Sequence, residues 1–428
     1  MRGLARNPAL PAEALRRLAT TGPLDRWELT ARAVWDDEAF DVLAGHPDPE
    51  VREALAQSPG ATGAQRARLI GDLSIRVLHA VLEGPPSRWA DPLPDWAYHR
   101  LAGHPEPVVR DMLTFLPGVP GDVVARLARD PQPGIAAAAQ ALLDRESAKP
   151  DTPDREHVTH AETGQRHAGR DRLGPDHVVR AGPARERAVE MASGAAPWDR
   201  AIAAADPELP DAWVTALAAD PSPQVRLAVS MRPGLTEEQR AAIDHPTPAE
   251  TPILDWVLAA GPTELRECAG SRHPALRRSA ACHPDLPADL VAALAEDDDI
   301  TVRLRLCEHR TDLPGELLVQ VHLAVPDSDL PRHPAFPGTG LARHASSTDP
   351  RARALARLDP DAPEALIERL SHDPDMSVRA SVADDHRLPV PRLLQLFDDP
   401  DTTGAASANP RLPVHLMDRI LADGGITD

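Results

Sequence analysis

The sequence predicts an all-α fold made of short helix pairs that stack into an elongated array. The chain contains 47 prolines. Because proline inside a helix costs roughly 3 kcal/mol, these residues must lie at helix starts and in turns. Only 3% of the residues are aromatic, so Leu, Val and Ala must form a core that suits closely packed helices. The third observation is an internal repeat of about 26 residues, a period typical of stacked helical units.

The repeat is recognised by an apolar residue followed by arginine, with proline seven residues after the arginine. It occurs at Val51-Arg52 to Pro59, Val109-Arg110 to Pro117, Val225-Arg226 to Pro233, Leu276-Arg277 to Pro284 and Ala352-Arg353 to Pro360. The same apolar–arginine pair returns 26 residues later at Val302-Arg303 and at Val378-Arg379. This register sets the period.

A residue that can cap a helix, followed by proline, precedes these pairs. The dipeptides are His46-Pro47, His104-Pro105, Asp220-Pro221, His273-Pro274, Asp349-Pro350 and Asp373-Pro374. Aspartate caps helix N-termini, and proline at the first helical position loses only an N–H that has no partner. Each dipeptide is therefore predicted to start a short helix.

A second signature follows, with an apolar residue before proline and further apolar residues at helical spacing. Leu286-Pro287 with Leu290 and Leu294 is an example. Residues four apart share one helix face, so this signature predicts a second, longer helix. A helix pair of this size cannot bury its own apolar stripe and must stack on its neighbours.

The combined pattern V-R-x-x-x-x-x-x-P-x-L-P-x-x-L resembles the leucine-rich repeat variant family, which is HEAT-like, over most of residues 1–143 and 200–428. The resemblance implies a right-handed α-solenoid and no particular activity. Some family members add an iron–sulfur cluster on an N-terminal cysteine cluster, but this chain has no cysteine before Cys268. We therefore expect no cofactor.

Composition divides the chain into three parts. We predict an N-terminal repeat array at 1–143, a charged linker at 144–197 and a C-terminal repeat array at 198–428. The linker has mixed charge and too few apolar residues to offset the entropy of ordering, so we expect disorder, with another helix beginning between 178 and 193. The first residues begin inside a short helix, as either a half-repeat cap or a truncated start.

The repeated arginines are the most regular polar feature. These residues are Arg52, Arg110, Arg226, Arg277, Arg303, Arg353 and Arg379. They could grip an anion, but a position that repeats needs a partner that repeats. We therefore predict a structural role, with each arginine reaching an acidic residue or the terminal carbonyls of a neighbouring repeat.

The cysteines and histidines give one metal-like cluster, Cys282-His283 with Cys307 and His309, one repeat apart. The spacing lacks the close ligand pairs of zinc sites, so buried thiols are expected and no metal. We find no phosphate-binding glycine loop, no nucleophile elbow and no H-E-x-x-H motif in the sequence. The sequence therefore predicts a protein that is not an enzyme.

Four tryptophans in the less regular stretches are the candidates for a partner site. They are Trp27, Trp35, Trp89 and Trp96. Tryptophan is enriched among interface hot spots, whereas Trp213 and Trp256 fall on repeat positions that predict packing in the core.

The formal net charge of -20 disfavours a general nucleic-acid surface. The sequence shows neither a signal peptide nor a membrane span, so a cytoplasmic location is expected. The leading hypothesis is a non-enzymatic scaffold that holds a protein or peptide on the concave face of a solenoid. The alternative is an enzyme of the HEAT-like DNA-glycosylase kind, which would need a positively charged, aromatic-lined groove.

Overall fold

A computed structural model describes residues 1–21, 25–87, 89–116, 118–147 and 184–426. These residues are all-helical and contain no β-strand. The chain forms two compact units, unit 1 (Met1–Thr163 with Pro337–Asp428) and unit 2 (Gly164–Phe336). Unit 1 thus takes in both ends of the sequence.

The helices of unit 1 are α1 (Arg2–Arg6), α2 (Ala12–Thr21), α3 (Arg26–Thr30), α4 (Asp37–Ala44), α5 (Pro49–Ala56), α6 (Gly63–Arg66), α7 (Ile75–Glu83), α8 (Asp95–Leu101), α9 (Pro107–Met112), α10 (Gly121–Leu127), α11 (Pro133–Ser147), α23 (Pro350–Leu355), α24 (Glu364–Leu370), α25 (Met376–Ala383), α26 (Val390–Asp398), α27 (Thr403–Ala406) and α28 (Val414–Asp423). Short 3₁₀ helices lie at Ala67–Leu69, Leu113–Phe115, Leu341–Ser346 and Ala356–Leu358.

The helices of unit 2 are α12 (Ala184–Ala192), α13 (Pro197–Ala205), α14 (Asp211–Leu217), α15 (Pro223–Ser230), α16 (Glu237–Ala241), α17 (Asp255–Leu258), α18 (Pro262–Ala269), α19 (Pro274–Ala281), α20 (Ala288–Ala295), α21 (Ile300–His309) and α22 (Gly315–Ala324), with a 3₁₀ helix at Leu330–Arg332.

Many helices pack on the helix two places along the chain. In unit 1, α1, α3, α5, α7 and α9 contact one another in sequence, as do α23, α25 and α27. In unit 2, α13 contacts α15, and α19 contacts both α17 and α21. The cores are built from Leu, Val and Ala, such as Val109, Leu113 and Leu127, as the low aromatic content predicted.

The predicted helix starts were wrong in four of the six capping dipeptides. The helices α5, α9, α15 and α25 begin at Pro49, Pro107, Pro223 and Met376, three residues beyond the predicted cap. The predicted cap instead accepts a hydrogen bond from the backbone N–H two residues on, as at Asp220 from Ser222 (2.8 Å). Only His273 and Asp349 cap their helices as predicted.

The expected contrast between a short and a longer helix holds for some helix pairs and fails for others. The helices α27 and α28 have 4 and 10 residues, whereas α19 and α20 have 8 residues each.

A buried polar side chain in the turn within each pair ties one repeat to the one before it. Asn409 donates from Nδ2 to the carbonyls of Ala383 (2.9 Å) and Asp385 (2.7 Å). Arg232 donates to the carbonyls of Ala204 (2.7 Å) and Asp206 (2.6 Å). The last carbonyls of a helix lack partners in that helix, and these turn residues supply the donors. Arg32 and Ser58 also donate to carbonyls of the repeat before them, whereas Asn7 donates to carbonyls near the other end of the sequence.

The two units divide the chain differently from the three predicted parts. Much of the predicted linker, 148–183, lies outside the described residues, and both ends of the linker are helical. At one end α11 runs to Ser147, and at the other α12 occupies Ala184–Ala192, within the stretch where a helix was expected. Residues 198–336 and 337–428, predicted as one array, belong to different units.

Replacing Asn409 by alanine should lower the free energy of unfolding by about 1–3 kcal/mol, because the variant buries two carbonyls without donors. Thermal unfolding of the purified chain measures this loss. The matched control is His415→Ala on the exposed surface of α28, and this variant should have the same melting temperature as the parent. Equal melting temperatures for Asn409→Ala and the control would contradict the role of the turn residue.

Candidate interaction surface

The repeated arginines form a ladder of ion pairs between neighbouring turns. Four of them, and also Arg200, meet an aspartate twenty residues later, with Nε to Oδ2 distances of 2.6–2.7 Å: Arg52 with Asp72, Arg110 with Asp130, Arg200 with Asp220, Arg277 with Asp297 and Arg353 with Asp373. In each pair the second guanidinium nitrogen donates to the other carboxylate oxygen. The third donates to two backbone carbonyls five and six residues earlier, as Arg110 does to His104 (2.7 Å) and Pro105 (3.1 Å). All three nitrogens are therefore occupied within the protein.

The aspartates hold their own turns as well. Asp130 accepts a hydrogen bond from the backbone N–H of Gln132 (2.9 Å) while it receives Arg110. The hydrogen bonds from arginine hold the carboxyl pKa of Asp130, Asp220 and Asp373 below its usual value. The carboxylates stay ionised, so the opposite charges of arginine and aspartate cancel within each pair.

Three of the predicted arginines depart from this geometry. Arg226 has only backbone acceptors at hydrogen-bond distance, the carbonyls of Asp244 (2.5 Å), Asp220 (2.6 Å) and Pro221 (3.1 Å). Arg379 donates to the carbonyls of Asp373 (2.9 Å) and Pro374 (3.1 Å). The Nε of Arg303 is buried without a hydrogen bond.

Arg200 belongs to the ladder but was not among the predicted positions. It is preceded by Asp199 rather than by an apolar residue, so the apolar–arginine pattern passed over it. The proline at position 207, seven residues later, and Asp220, twenty residues later, were the signals that could have found it.

The four candidate tryptophans do not share one environment. Trp27 and Trp96 are 50% and 53% exposed, and Trp89 is half-buried. Trp35 is only 4% exposed, so its predicted place at a partner surface is corrected to the core. Its indole N–H donates to Ser58 Oγ (2.9 Å), and the Arg32 guanidinium lies 5.0 Å from its ring centroid. Trp213 and Trp256 are half-buried against their cores.

Sequence reasoning missed several exposed apolar residues on unit 1. Leu73 is fully exposed, and Ile75 and Val108 are 40% and 43% exposed. The exposed Pro105 and Pro107 lie beside Val108 in the sequence. These five residues, here called the apolar edge, stand at the N-terminal ends of α7 and α9, which pack on each other. The repeat register could have shown that Leu73 and Ile75 stand where other repeats have prolines.

One serine–histidine pair in unit 2 lies within hydrogen-bond distance. The histidine proton is on the nitrogen that faces the serine, however, which does not suit nucleophilic catalysis. His273 Nδ1 accepts from the backbone N–H of Ala275 (3.2 Å), so Nε2 carries the proton toward Ser230 Oγ (2.9 Å). Ser230 in turn donates to the carbonyl of Leu227 (2.7 Å). Burial, and stacking on His245 with ring centroids 4.7 Å apart, lower the pKa of His273 to about 4. A neutral histidine that donates to the hydroxyl cannot remove its proton.

The residues of the metal-like cluster have separate roles. Cys282 and Cys307 are buried, and burial raises the pKa of the Cys307 thiol to about 12. His283 Nδ1 accepts from the backbone N–H of Asp285 (3.1 Å), while His309 Nδ1 lies 2.8 Å from the carbonyl of Arg305. Among the residues the structure describes, no group of three His, Cys, Asp or Glu side chains is placed to hold a metal ion.

Comparison with known proteins gave no match to a family model and no match to a curated protein. The resemblance to the leucine-rich repeat variant family therefore rests on the repeat pattern alone. Within the described ranges, no helix has both the length and the apolar character that crossing a membrane requires.

The two kinds of ladder position predict different losses of stability. Arg277→Ala leaves Asp297 unpaired and should cost about 1–3 kcal/mol, whereas Arg226→Ala removes donors to backbone carbonyls only and should cost less. Arg277→Lys should restore only part of the loss, because an ammonium cannot reproduce the planar fork. Thermal unfolding compares the variants, with the exposed Arg272→Ala as control. An unchanged melting temperature for Arg277→Ala would contradict the structural role.

Proposed function

We propose that the stacked helix pairs form a right-handed α-solenoid and that the protein is a non-enzymatic scaffold for a protein or peptide. The observation that carries the proposal is the apolar edge. Leu73 and its neighbours expose aliphatic side chains on ordered helix ends, where burial against a partner would gain roughly 25 cal/mol per Å². Trp27 and Trp96 offer further contact area on the same unit.

The charges around the edge support a protein partner over a nucleic acid. Arg52 and Arg110 on the same unit are neutralised by aspartates. The exposed Arg76 already pairs with Glu53 (3.1 Å). Asp48 and Glu106 are exposed at the starts of α5 and α9. A polyanion would meet few free cations here and several carboxylates.

The proposal predicts that a partner captured from the protein's own cells depends on the apolar edge. A variant carrying Leu73→Asp and Val108→Asp should retain at least tenfold less of that partner, because two charges would enter the contact. The control is Leu358→Asp, which charges another exposed apolar residue away from the edge. Quantitative mass spectrometry of the captured proteins makes the comparison.

Equal retention by the edge variant and the control would contradict the proposed surface. Binding of labelled duplex DNA to the parent tests the glycosylase-like alternative by fluorescence anisotropy. Tight binding that weakens steeply with salt would favour that enzyme over the scaffold.

A further inference from the structure

Helices from opposite ends of the sequence pack together inside unit 1. Asn7 donates from Nδ2 to the carbonyls of Ser407 (3.0 Å) and Asn409 (2.7 Å), across sequence separations of 400 and 402 residues. Asn409 makes the same pair of bonds to Ala383 and Asp385 one repeat earlier. Residues 1–7 therefore occupy the place of the next repeat after α27.

The helices α1 and α27 approach each other closely, and their register matches that of the preceding repeat interface. A Cβ on Gly3 would overlap the carbonyl oxygen of Gly404 and would lie 2.9 Å from the Cβ of Ser407. The Met1 side chain lies against Gly424, at the end of α28. Only glycine at position 3 allows the two short helices to approach this far.

This interface, here called the seam (α1 against α27), differs from the other repeat interfaces in its covalent connection. Elsewhere along the regular repeats, neighbouring pairs are joined by a turn of a few residues, which keeps their effective concentration high. Within this sequence, the two sides of the seam are joined only through the roughly 400 residues between them. The entropy lost on closing a loop rises with its length, so the seam gains less from its covalent connection than an interface between consecutive repeats does.

We propose that the seam is a built-in opening point, at which unit 1 separates before its other repeat interfaces do. Opening exposes the small-residue faces of α1 and α27 together with the carbonyls of Ser407 and Asn409. The rest of each array keeps its own ladder and turn contacts. The other repeat interfaces stay closed when the seam opens.

Hydrogen exchange of the full-length chain, read by mass spectrometry, tests the seam against a head-to-tail cyclised form of the same chain. Cyclisation gives the seam a short connection, so amides of α1 and α27 should exchange at least tenfold more slowly. The size-matched helix α3, which has five residues like α1, should be unchanged. Equal exchange in α1 and α27 before and after cyclisation would overturn the proposal.

A substitution at the seam provides the opposite perturbation. Gly3→Ala should speed exchange in α1 and α27 at least tenfold, and cyclisation should recover part of that protection. The matched control is Gly134→Ala on α11, where a Cβ meets no atom within 4 Å. Faster exchange spread over every helix of unit 1 would show that the unit opens as one body and would refute a local opening point.

Discussion

The structure depends on one constraint, that a pair of two-turn helices ends in carbonyls and buries little apolar surface of its own. Each repeat must therefore satisfy the helix ends of its neighbour as well as cover its apolar face. The turn residues, such as Asn409 and Arg232, meet the first requirement from inside the core. The ladder arginines satisfy helix ends at the opposite turn. There each guanidinium donates to two carbonyls of its own repeat and to the aspartate of the next.

Because the turn residues and the ladder arginines satisfy the helix ends, polar residues recur at these positions, whereas the exposed residues vary from repeat to repeat. Arg110 uses four of its five N–H donors on Asp130 and two carbonyls, which leaves little of the guanidinium for an external anion. We therefore place the proposed function where the repeat pattern is broken. Leu73 and Ile75 stand at a helix start where other repeats have prolines, and both are exposed. The residues of the apolar edge and the residues of the ladder thus occupy adjacent positions of the repeat.

The sequence was sufficient for the all-helical class and for the partner type of the repeated arginines, because both follow from local spacing. It misplaced four helix starts. At three of them two prolines stand near the cap and either could be the first helical residue, and at the fourth Asp375 rather than Asp373 is the cap. It could not identify the turn residues, where Asn, Arg and Ser perform the same bonding. Trp35 was misassigned because only its packing against Phe40 and Ser58 shows that it is core. The contact of α1 with α27 lies beyond any local signal.

The central claim, that the repeats are coupled by turn-to-turn ion pairs, is tested most directly by a double-mutant cycle on Arg110 and Asp130. The predicted coupling free energy at pH 7 is about 1–3 kcal/mol. Because the folded-state pKa of Asp130 lies below the usual value of about 3.9, the coupling is fully present above that pH. It is lost as the pH falls through the folded-state pKa. Additive effects at pH 7, within about 0.5 kcal/mol, would contradict the account.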